Sequence, residues 1–334
     1  MKIAIVKLGA KGDVVRTLPI LIGIKEKYPD SEITWITKKS SEEIIKTSPH
    51  INQILTIPIN TEELSEFDLL YNFDIDEEAT KLAEKIKAKT KLGFYSEQGF
   101  ASAFNLPAEY YLNTLFDDET KISNRKTYQE MMFETAELDY KRQHHPIFLT
   151  NKDKEYARSF IENNNINTKK LIGIHLGSAP TWPSKAWHLE NVKEFIIKAK
   201  NKDYEILLFA GPDDTEKHEK LTKELEDQEI KVYSNNPNNS DTEFASLVNI
   251  CKFMVCSDSF ALHISLALKI PTICLFFCTS PFEVEDYDIL KKVVSPLIYD
   301  FFPEKMDQYD ESLVKSISSE EVLKVIEELE NLTI

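Results

Sequence analysis

The chain opens with Lys2-Ile3-Ala4-Ile5-Val6-Lys7-Leu8, which runs directly into Gly9-Ala10-Lys11-Gly12-Asp13. The apolar run is typical of a strand that is buried on both faces of a parallel sheet. From Val14 to Lys27, apolar side chains recur at helical spacing, so a helix is expected after the loop. A strand, a tight loop and a helix in this order indicate an α/β fold.

Asp13 follows this first strand, and open α/β sheets bind ligands at the carboxyl ends of their strands. Gly9 and Gly12 let the backbone turn sharply and approach a bound molecule closely. The loop matches neither G-x-G-x-x-G nor G-x-x-x-x-G-K-[ST], the two familiar glycine-rich nucleotide motifs. Two interpretations of Asp13 therefore remain: a cap of the following helix, or a catalytic carboxylate.

Length and composition restrict the possible functions. The 334 residues are enough for two domains of ordinary size, and 42% of them are hydrophobic. The formal net charge of -16 argues against broad nucleic-acid binding and against tight adhesion to an anionic membrane. No apolar run reaches the ~18 residues of a spanning helix, and the N-terminus is a core strand rather than a signal peptide. We expect a cytoplasmic protein with at most peripheral contact to the inner face of the cell membrane.

The cysteines raise the question of a metal site. They are four in number and lie near His263 in the sequence: Cys251, Cys256, Cys274 and Cys278. Their spacing matches no C-x-x-C zinc pattern, and Cys256 and Cys274 lie within apolar, strand-like runs. A disulfide framework is not expected in a chain of this length. Buried structural thiols are therefore favoured over metal ligands, and no metal is expected.

Strands and helices alternate through the first half, which calls for a parallel sheet covered on both faces. Further strands are predicted at 32–37, 52–57, 67–73 and 91–95, and helices from residue 41, over 76–87 and over 127–138. Residues 99–120 show no clear period, and the polar segment 139–150 is typical of a linker. The predicted domains are therefore residues 1–149 and 150–334.

A second α/β series follows the linker. Its strands are predicted at 170–175, 205–210, 253–256 and 272–276, with helices beginning near residues 189, 213, 242 and 259 and an acidic helix over 318–329. Two doubly wound domains joined by one linker imply a deep cleft between them. Interfaces of this kind are preferred ligand sites.

The first notable loop of the second series runs from Gly177 to Trp187. Lys185 has the charge to neutralise a phosphate, and Ser178 or Thr181 has a hydroxyl to donate to it. The competing interpretation is a solvated lysine beside core tryptophans.

Two further loops carry acidic residues. In Gly211-Pro212-Asp213-Asp214, either aspartate is able to accept hydrogen bonds from ribose hydroxyls. N-capping of a helix explains the two aspartates as well. In the second loop, Asp258 and Ser259 precede a helix whose first N–H groups form an anion site. His263 lies one turn beyond Ser259, so both can face one pocket, although a lone histidine on a helix is more often structural.

Taken together, four segments in this order resemble glycosyltransferase family 9, the heptosyltransferases of lipopolysaccharide core assembly. The segments are Leu8 through Val14, the Gly177–Trp187 loop ending in Lys-x-Trp, the Gly-Pro-acidic turn at 211–214, and Asp258-Ser259 with His263, Pro271-Thr272 and Thr279-Ser280-Pro281. The resemblance spans most of the chain.

The resemblance implies the α/β GT-B fold, with two Rossmann-like doubly wound domains facing across a cleft. The first domain would bind the acceptor and the second a nucleotide-sugar. It also implies inverting, metal-independent transfer without a cofactor, with Asp13 as general base. Lys185, Ser178 or Thr181, and the helix start at Ser259 would stabilise the diphosphate.

The remaining site residues follow from the same resemblance. Asp214 falls where the family contacts the nucleoside sugar, Asp258 belongs to the donor site, and His263 would shape the phosphate pocket. Lys11, Gly12 and Arg16 are expected on the acceptor side, with Arg16 one turn after Asp13. The expected partners are a nucleotide-sugar, with ADP-heptose favoured, and a glycolipid or glycan acceptor.

Some residues depart from the family pattern. Phe260 and Phe277 stand where glycines are usual, and glycine is the residue that lets backbone approach a phosphate. Arginines are few in the first domain, where the one dense basic run consists of Lys81, Lys85, Lys87, Lys89 and Lys91. That run is interpreted as a solvated helix face, with contact to phosphate or a membrane edge as the alternative.

These departures keep two rival functions open beside the transferase. One is a catalytically inactive GT-B binding or scaffold protein. The other is a different nucleotide-sugar enzyme such as an epimerase, because fold does not fix function.

Overall fold

A computed structural model describes residues 1–178 and 180–332 of the chain. The chain divides into two compact units. Unit 1 contains Met1–Phe148 together with Phe282–Glu285, and unit 2 contains Leu149–Pro281 and the chain from Asp286 onward. The short segment Phe282–Glu285 is anchored to unit 1 through Glu285, which accepts hydrogen bonds from Arg142 Nε at 2.9 Å and from the Tyr140 hydroxyl.

Unit 1 alternates strands and helices as expected. Its strands are β1 Lys2–Val6, β2 Glu32–Thr37, β3 Gln53–Thr56, β4 Phe67–Asn72, β5 Ala88–Glu97 and β6 Phe100–Ala103. Its helices are α1 Lys11–Thr17, α2 Ile20–Lys27, α3 Lys39–Ile45, α4 Glu77–Lys85, α5 Leu106–Phe116, α6 Asp118–Ser123 and α7 Tyr128–Thr135.

Unit 2 repeats the pattern. Its strands are β7 Leu171–His175, β8 Glu205–Phe209, β9 Tyr233–Ser234, β10 Phe253–Ser257, β11 Thr272–Phe276 and β12 Leu290–Val294. Its helices are α8 Asn151–Asn164, α9 Leu189–Lys200, α10 Thr215–Glu226, α11 Asp241–Val248, α12 Phe260–Ala267, α13 Ile298–Phe301, α14 Glu311–Lys315 and α15 Ser319–Leu332. Short 3₁₀ turns include Pro183–Lys185 and Pro212–Asp214.

The two sheets have the same topology. Within the described residues, each has six strands, in the orders β3-β2-β1-β4-β5-β6 and β12-β11-β10-β7-β8-β9. The first is parallel except for the antiparallel pair β5–β6, and the second is parallel throughout. In each unit the first strand lies between the second and fourth strands of that unit. This reversal of strand order is the topological switch point of a Rossmann-like sheet, where ligands bind.

Helices cover both faces of the central strands, which explains why those strands read as continuous apolar runs. Ile3, Ala4, Ile5 and Val6 of β1 are all fully buried. In unit 2, residues of β7, β8, β10 and β11 join α9, α10 and α15 in one hydrophobic core. Sequence patterns also mark several helix starts correctly: Thr127 accepts from the N–H of Glu130, and Ser240 forms a capping box with Glu243.

The predicted single helix from Val14 to Lys27 is wrong. Two helices, α1 and α2, occupy this segment, and the chain turns between them at Leu18 and Pro19. Pro19 has no N–H to continue the α-helical ladder. The N–H groups of Leu18, Leu21 and Ile22 instead bond to carbonyls three residues earlier, which tightens the turn.

Two other expectations for unit 1 need correction. Residues 99–120, which show no period, form β6, α5 and the start of α6. The lysine run 81–91 is not one helix face, because α4 ends at Lys85, and Lys89 and Lys91 lie on β5. Lys89 pairs with Asp68 at 2.7 Å, and Lys91 Nζ donates to the carbonyls of Ala83 and Glu84 at 2.8 Å.

Candidate functional site

Two segments meet at the switch point of the first sheet, where β1 and β4 are neighbours. The loop after β1 leads into α1, whose first turn contains Lys11, Gly12 and Asp13. Asp74 follows β4. A Cβ atom placed on Gly9 would lie 3.2 Å from Asp74 Oδ1 and 3.3 Å from Asp13 Cβ, so the two acidic side chains flank this glycine closely.

The Asp13 carboxylate is held beside a guanidinium. Its Oδ1 lies 2.7 Å from Arg16 Nη2, and 34% of the Asp13 side chain is exposed. Arg16 in turn lies over the ring of the buried Tyr128, with its guanidinium carbon 3.8 Å from the ring centroid. The N-cap residue of α1 is Ala10, so the interpretation of Asp13 as the N-cap is wrong. The site presents an accessible carboxylate in a fixed orientation.

Asp74 and Lys7 form a buried ion pair next to Asp13. Lys7 Nζ lies 2.7 Å from Asp74 Oδ1 and donates to the Phe73 carbonyl at 3.0 Å. The other carboxylate oxygen of Asp74 accepts hydrogen bonds from the backbone N–H groups of Leu8 and Gly9, the latter at 2.8 Å. Asp74 therefore ties the end of β4 to the loop that carries Asp13.

The charge state of Lys7 follows from these contacts. Burial is the largest single influence and lowers the pKa of Lys7. The charges of Asp74, Tyr128, Asp13 and Tyr111 together outweigh burial, so the pKa is raised. Lys7 is thus a buried cation at neutral pH. It balances one of the two carboxylates at this switch point, while Arg16 balances the other.

The switch point of the second sheet lies between β7 and β10. The loop after β7 carries Lys185, and the loop after β10 carries Asp258. Lys185 Nζ lies 3.0 Å from Asp258 Oδ2 and donates to the Asp258 carbonyl at 3.2 Å; the two side chains are 16% and 17% exposed. The interpretation of Lys185 as a solvated lysine is therefore wrong. His263 Nε2 lies 3.9 Å from the other oxygen of Asp258.

Ser259 and Asp214 lie near a histidine that sequence reasoning did not single out. Ser259 is the N-cap residue of α12, and its hydroxyl lies 3.5 Å from His175 Nδ1. Burial lowers the pKa of His175 to about 4, although the Asp214 carboxylate opposes this shift. Asp214 itself is buried, with Oδ1 3.5 Å from Lys217 Nζ. His175 is therefore neutral at physiological pH and serves as a hydrogen-bonding group.

The loop from Gly177 to Trp187 mixes structural and accessible groups. The Ser178 hydroxyl donates to the Trp182 carbonyl at 3.1 Å, while Thr181 is exposed. Ser184 holds the loop by donating to the Gln308 carbonyl at 2.8 Å. Trp187 is a core residue whose Nε1 donates to the Ile317 carbonyl.

Within residues 1–178 and 180–332, no three or more His, Cys, Asp or Glu side chains are grouped so as to hold a metal ion. In that part of the chain no helix has both the length and the apolar character needed to cross a membrane. The four cysteines are buried, and burial raises the pKa of Cys278 to about 11.

The sequence of this chain also matches a known family. A model of glycosyltransferase family 9 (heptosyltransferase) matches residues 66–309. The chain belongs to glycosyltransferase family 9. Lipopolysaccharide heptosyltransferase 1 of Campylobacter coli is 22% identical over 353 residues, which cover 98% of this chain and 99% of that protein. The resemblance inferred from the four sequence segments is thereby confirmed.

Solved structures show the fold of this family 9 enzyme. The glycosyl transferase family 9 protein of Veillonella parvula superposes with a TM-score of 0.78 at 20% identity, covering 98% of this chain and 96% of that chain. The ADP-heptose lipopolysaccharide heptosyltransferase II of E. coli superposes with a TM-score of 0.71 at 18% identity, covering 98% of both chains. The chain is a glycosyltransferase with the GT-B fold, built from two Rossmann-like units.

The two phenylalanines that depart from the pattern of family 9 have different environments. Phe277 is 1% exposed and belongs to the hydrophobic core of unit 2. Phe260 is the first residue of α12 and is partly exposed, with its ring 5.6 Å from that of Phe244. Of the two, Phe260 alone stands at the helix start beside Ser259.

Sequence reasoning missed three polar residues at the switch points: Lys7, Asp74 and His175. Each has a signal that could have drawn notice. Lys7 is a charge within an apolar strand, and His175 ends another such strand. Asp74 follows a predicted strand just as Asp13 does.

Proposed function

We propose that this chain transfers a heptose from ADP-heptose to the lipopolysaccharide core or another surface glycan, by an inverting mechanism that needs no metal. The observation that carries the proposal is the pair of switch-point sites. One presents the Asp13 carboxylate, and the other presents the Lys185 ammonium beside the start of α12. A base and a diphosphate-stabilising cation are the two groups that such a transfer requires.

In the proposed reaction, unit 1 binds the acceptor and unit 2 binds the nucleotide-sugar. The acceptor hydroxyl gives its proton to Asp13 while its oxygen forms a bond to the anomeric carbon. The bond from that carbon to the diphosphate breaks on the opposite face, which inverts the configuration. Lys11 and Gly12 border the acceptor side of Asp13, and Arg16 keeps the carboxylate oriented.

The departing diphosphate needs positive charge. Lys185 lies close enough to the start of α12 to share a phosphate with the helix N–H groups, and His263 and Ser259 border the same position. Lys185 supplies the charge that a metal ion supplies in other transferases. The assignment of ADP-heptose is supported by the heptosyltransferase names of the family and of its relatives.

The nucleoside end of the donor is assigned to Asp214. Its carboxylate is buried at the end of the β8 loop, where a Cβ atom on Gly177 would lie 2.0 Å from Oδ2. Asp214 therefore lies against the loop after β7. If ADP binds at the switch point, the Asp214 carboxylate is placed to accept hydrogen bonds from the ribose hydroxyls. Of the two hydroxyls in the same loop, that of the exposed Thr181 is assigned as the donor, because the Ser178 hydroxyl already donates to the Trp182 carbonyl.

The test is transfer of heptose from ADP-heptose to a truncated lipopolysaccharide core after exhaustive treatment with EDTA. The proposal predicts a glycosylated product whose anomeric configuration, read by NMR, is inverted relative to the donor. Loss of transfer on chelation, restored by a divalent cation, would contradict metal independence. Absence of sugar transfer to any acceptor across a broad donor panel would overturn the transferase assignment.

One observation favours a second function, that of a non-catalytic binding protein. Phe260 occupies the first position of α12, where glycine would let a phosphate approach the backbone. A scaffold of this kind would bind none of ADP, UDP, GDP or their sugar conjugates in calorimetry. An epimerase would instead convert donor alone, whereas the transferase leaves donor alone unchanged apart from slow hydrolysis.

A further inference from the structure

We propose that Asp74 is a positioning residue, which fixes the loop between β1 and α1 so that Asp13 is held where it accepts the proton of the acceptor hydroxyl. The proposal rests on the role of Asp13 as general base. Asp74 lies 61 residues from Asp13 in the sequence, and only the neighbouring positions of β1 and β4 bring the two together.

The contacts of Asp74 form a clamp on the loop backbone. One carboxylate oxygen accepts from two successive N–H groups, those of Leu8 and Gly9, while the other accepts from Lys7 Nζ. Three hydrogen bonds from three consecutive residues end on one side chain. Because Asp74 is 7% exposed, water competes little for these bonds.

Asp74 is itself fixed by the strand behind it. The Asn72 side chain, which is fully buried, donates to the Asp74 carbonyl at 2.9 Å and to the Phe94 carbonyl at 2.7 Å. The same side chain accepts from the Asp74 N–H at 3.1 Å. The clamp is therefore anchored to both β4 and β5, so it can hold the loop without moving.

Gly9 links the Asp74 clamp to Asp13, because it contacts both residues. Asp74 bonds to its N–H, and both Asp74 and Asp13 lie within 3.3 Å of the place where a Cβ atom would stand. The next residue, Ala10, is the N-cap of α1, and its carbonyl accepts from the Val14 N–H at 3.0 Å. A displacement of Leu8 and Gly9 therefore displaces the first turn of α1 and Asp13. A shift of about 1 Å at a catalytic group can lower a rate on the order of 100-fold.

A purely structural ion pair would behave differently, and two double variants separate the two roles. Lys7→Met/Asp74→Asn removes both charges but keeps a side-chain oxygen for the N–H groups of Leu8 and Gly9. Lys7→Met/Asp74→Ala removes the charges and the acceptor together. Neither variant leaves an unpaired buried charge, which a single substitution would leave.

The experiment measures kcat and KM for heptose transfer in the two double variants, in wild type and in Asp13→Asn. Thermal melting confirms that each protein is folded at the assay temperature. The proposal predicts a kcat about 10- to 100-fold lower in the Ala double variant, with kcat largely restored in the Asn double variant. The KM for the donor, which binds to unit 2, should be unchanged in both.

Asp68→Asn is the matched control. Like Asp74, Asp68 pairs with a lysine, Lys89, and accepts from a backbone N–H, that of Lys2 at 2.8 Å. It lies on the same strand β4 but at the end opposite to Asp74. The kcat of Asp68→Asn should equal that of wild type. Equal kcat values in the two double variants, whether high or low, would overturn the role of Asp74 as a clamp. If Asp13→Asn retains full turnover, the proposed base fails instead, so the two failures are distinct.

Discussion

Replacement of Lys185 by alanine should weaken the binding of ADP, and replacement of its partner Asp258 by asparagine should strengthen it. Lys185 Nζ lies 3.0 Å from Asp258 Oδ2, and both side chains are more than four-fifths buried. In Lys185→Ala a diphosphate would lose its cation and face an unbalanced carboxylate. In Asp258→Asn the same diphosphate would meet a lysine with no competing anion.

The size of the effect follows from the geometry. A hydrogen bond to a charged group contributes about 1.5–3 kcal/mol, and each 1.4 kcal/mol is tenfold in affinity. We therefore expect the Kd for ADP to rise about 10- to 100-fold in Lys185→Ala and to fall several-fold in Asp258→Asn. ADP has no heptose, so contacts of Asp258 with the sugar do not enter this comparison.

The assay is isothermal titration calorimetry with ADP and AMP in the absence of added metal. AMP lacks the second phosphate, so the effect of Lys185→Ala on AMP should be smaller. Lys193→Ala is the matched control, because Lys193 pairs with Glu224 at 2.8 Å in the same unit but away from the switch point. The reasoning is refuted if both Lys185→Ala and Asp258→Asn weaken ADP binding equally, since the pair would then act only on the structure of unit 2.

Two further predictions concern unit 1. Gly9→Ala should lower kcat for heptose transfer about tenfold and leave the donor KM unchanged. The added Cβ atom would stand 3.2 Å from Asp74 Oδ1 and 3.3 Å from Asp13 Cβ, so it would displace one of the two side chains. A kcat equal to that of wild type would contradict this prediction. Burial lowers the pKa of His145, which bonds to Ser48, from 6.5 to about 4. The unfolded chain therefore binds the proton first, and the free energy of unfolding, intact above pH 6.5, should fall by on the order of 3 kcal/mol as the pH approaches 4. In urea unfolding at graded pH, His145→Gln should lose this contribution, while the decrease that His175 causes remains; a pH dependence equal to that of wild type would contradict the assignment.

Sequence patterns predicted the two doubly wound units well because their central strands are buried on both faces. The run Ile3–Val6 and its counterpart Leu171–Ile174 are apolar for this reason, and each is followed by a loop with a polar site residue. Helix α8, which follows a capping box at Thr150, was not predicted, but the helix starts after Thr127, Ser240 and Ser259 were predicted to within one or two residues. These features are local, so a single sequence reveals them.

The features that were missed depend on contacts between distant residues. Asp74 acquires its role only because β4 lies beside β1. Its position after a predicted strand marks it as a candidate, but the local sequence does not show that it contacts the loop after β1. Phe282–Glu285 belongs to unit 1 through Glu285, Arg142 and Tyr140, although the surrounding chain belongs to unit 2. Pro19 is a local signal for a helix break. The apolar residues continue at helical spacing on both sides of it, so one helix was predicted where there are two.

The most direct test of the account is the single-turnover rate of heptose transfer in Asp13→Asn at saturating donor and acceptor. Asparagine keeps the size of the side chain and an oxygen for Arg16 but does not accept the proton. General base catalysis contributes about 10²- to 10⁴-fold, so the rate should fall by that factor while ADP affinity and thermal stability stay at wild-type values. A rate equal to that of wild type and of the control Asp68→Asn would contradict the assignment of Asp13 as the base.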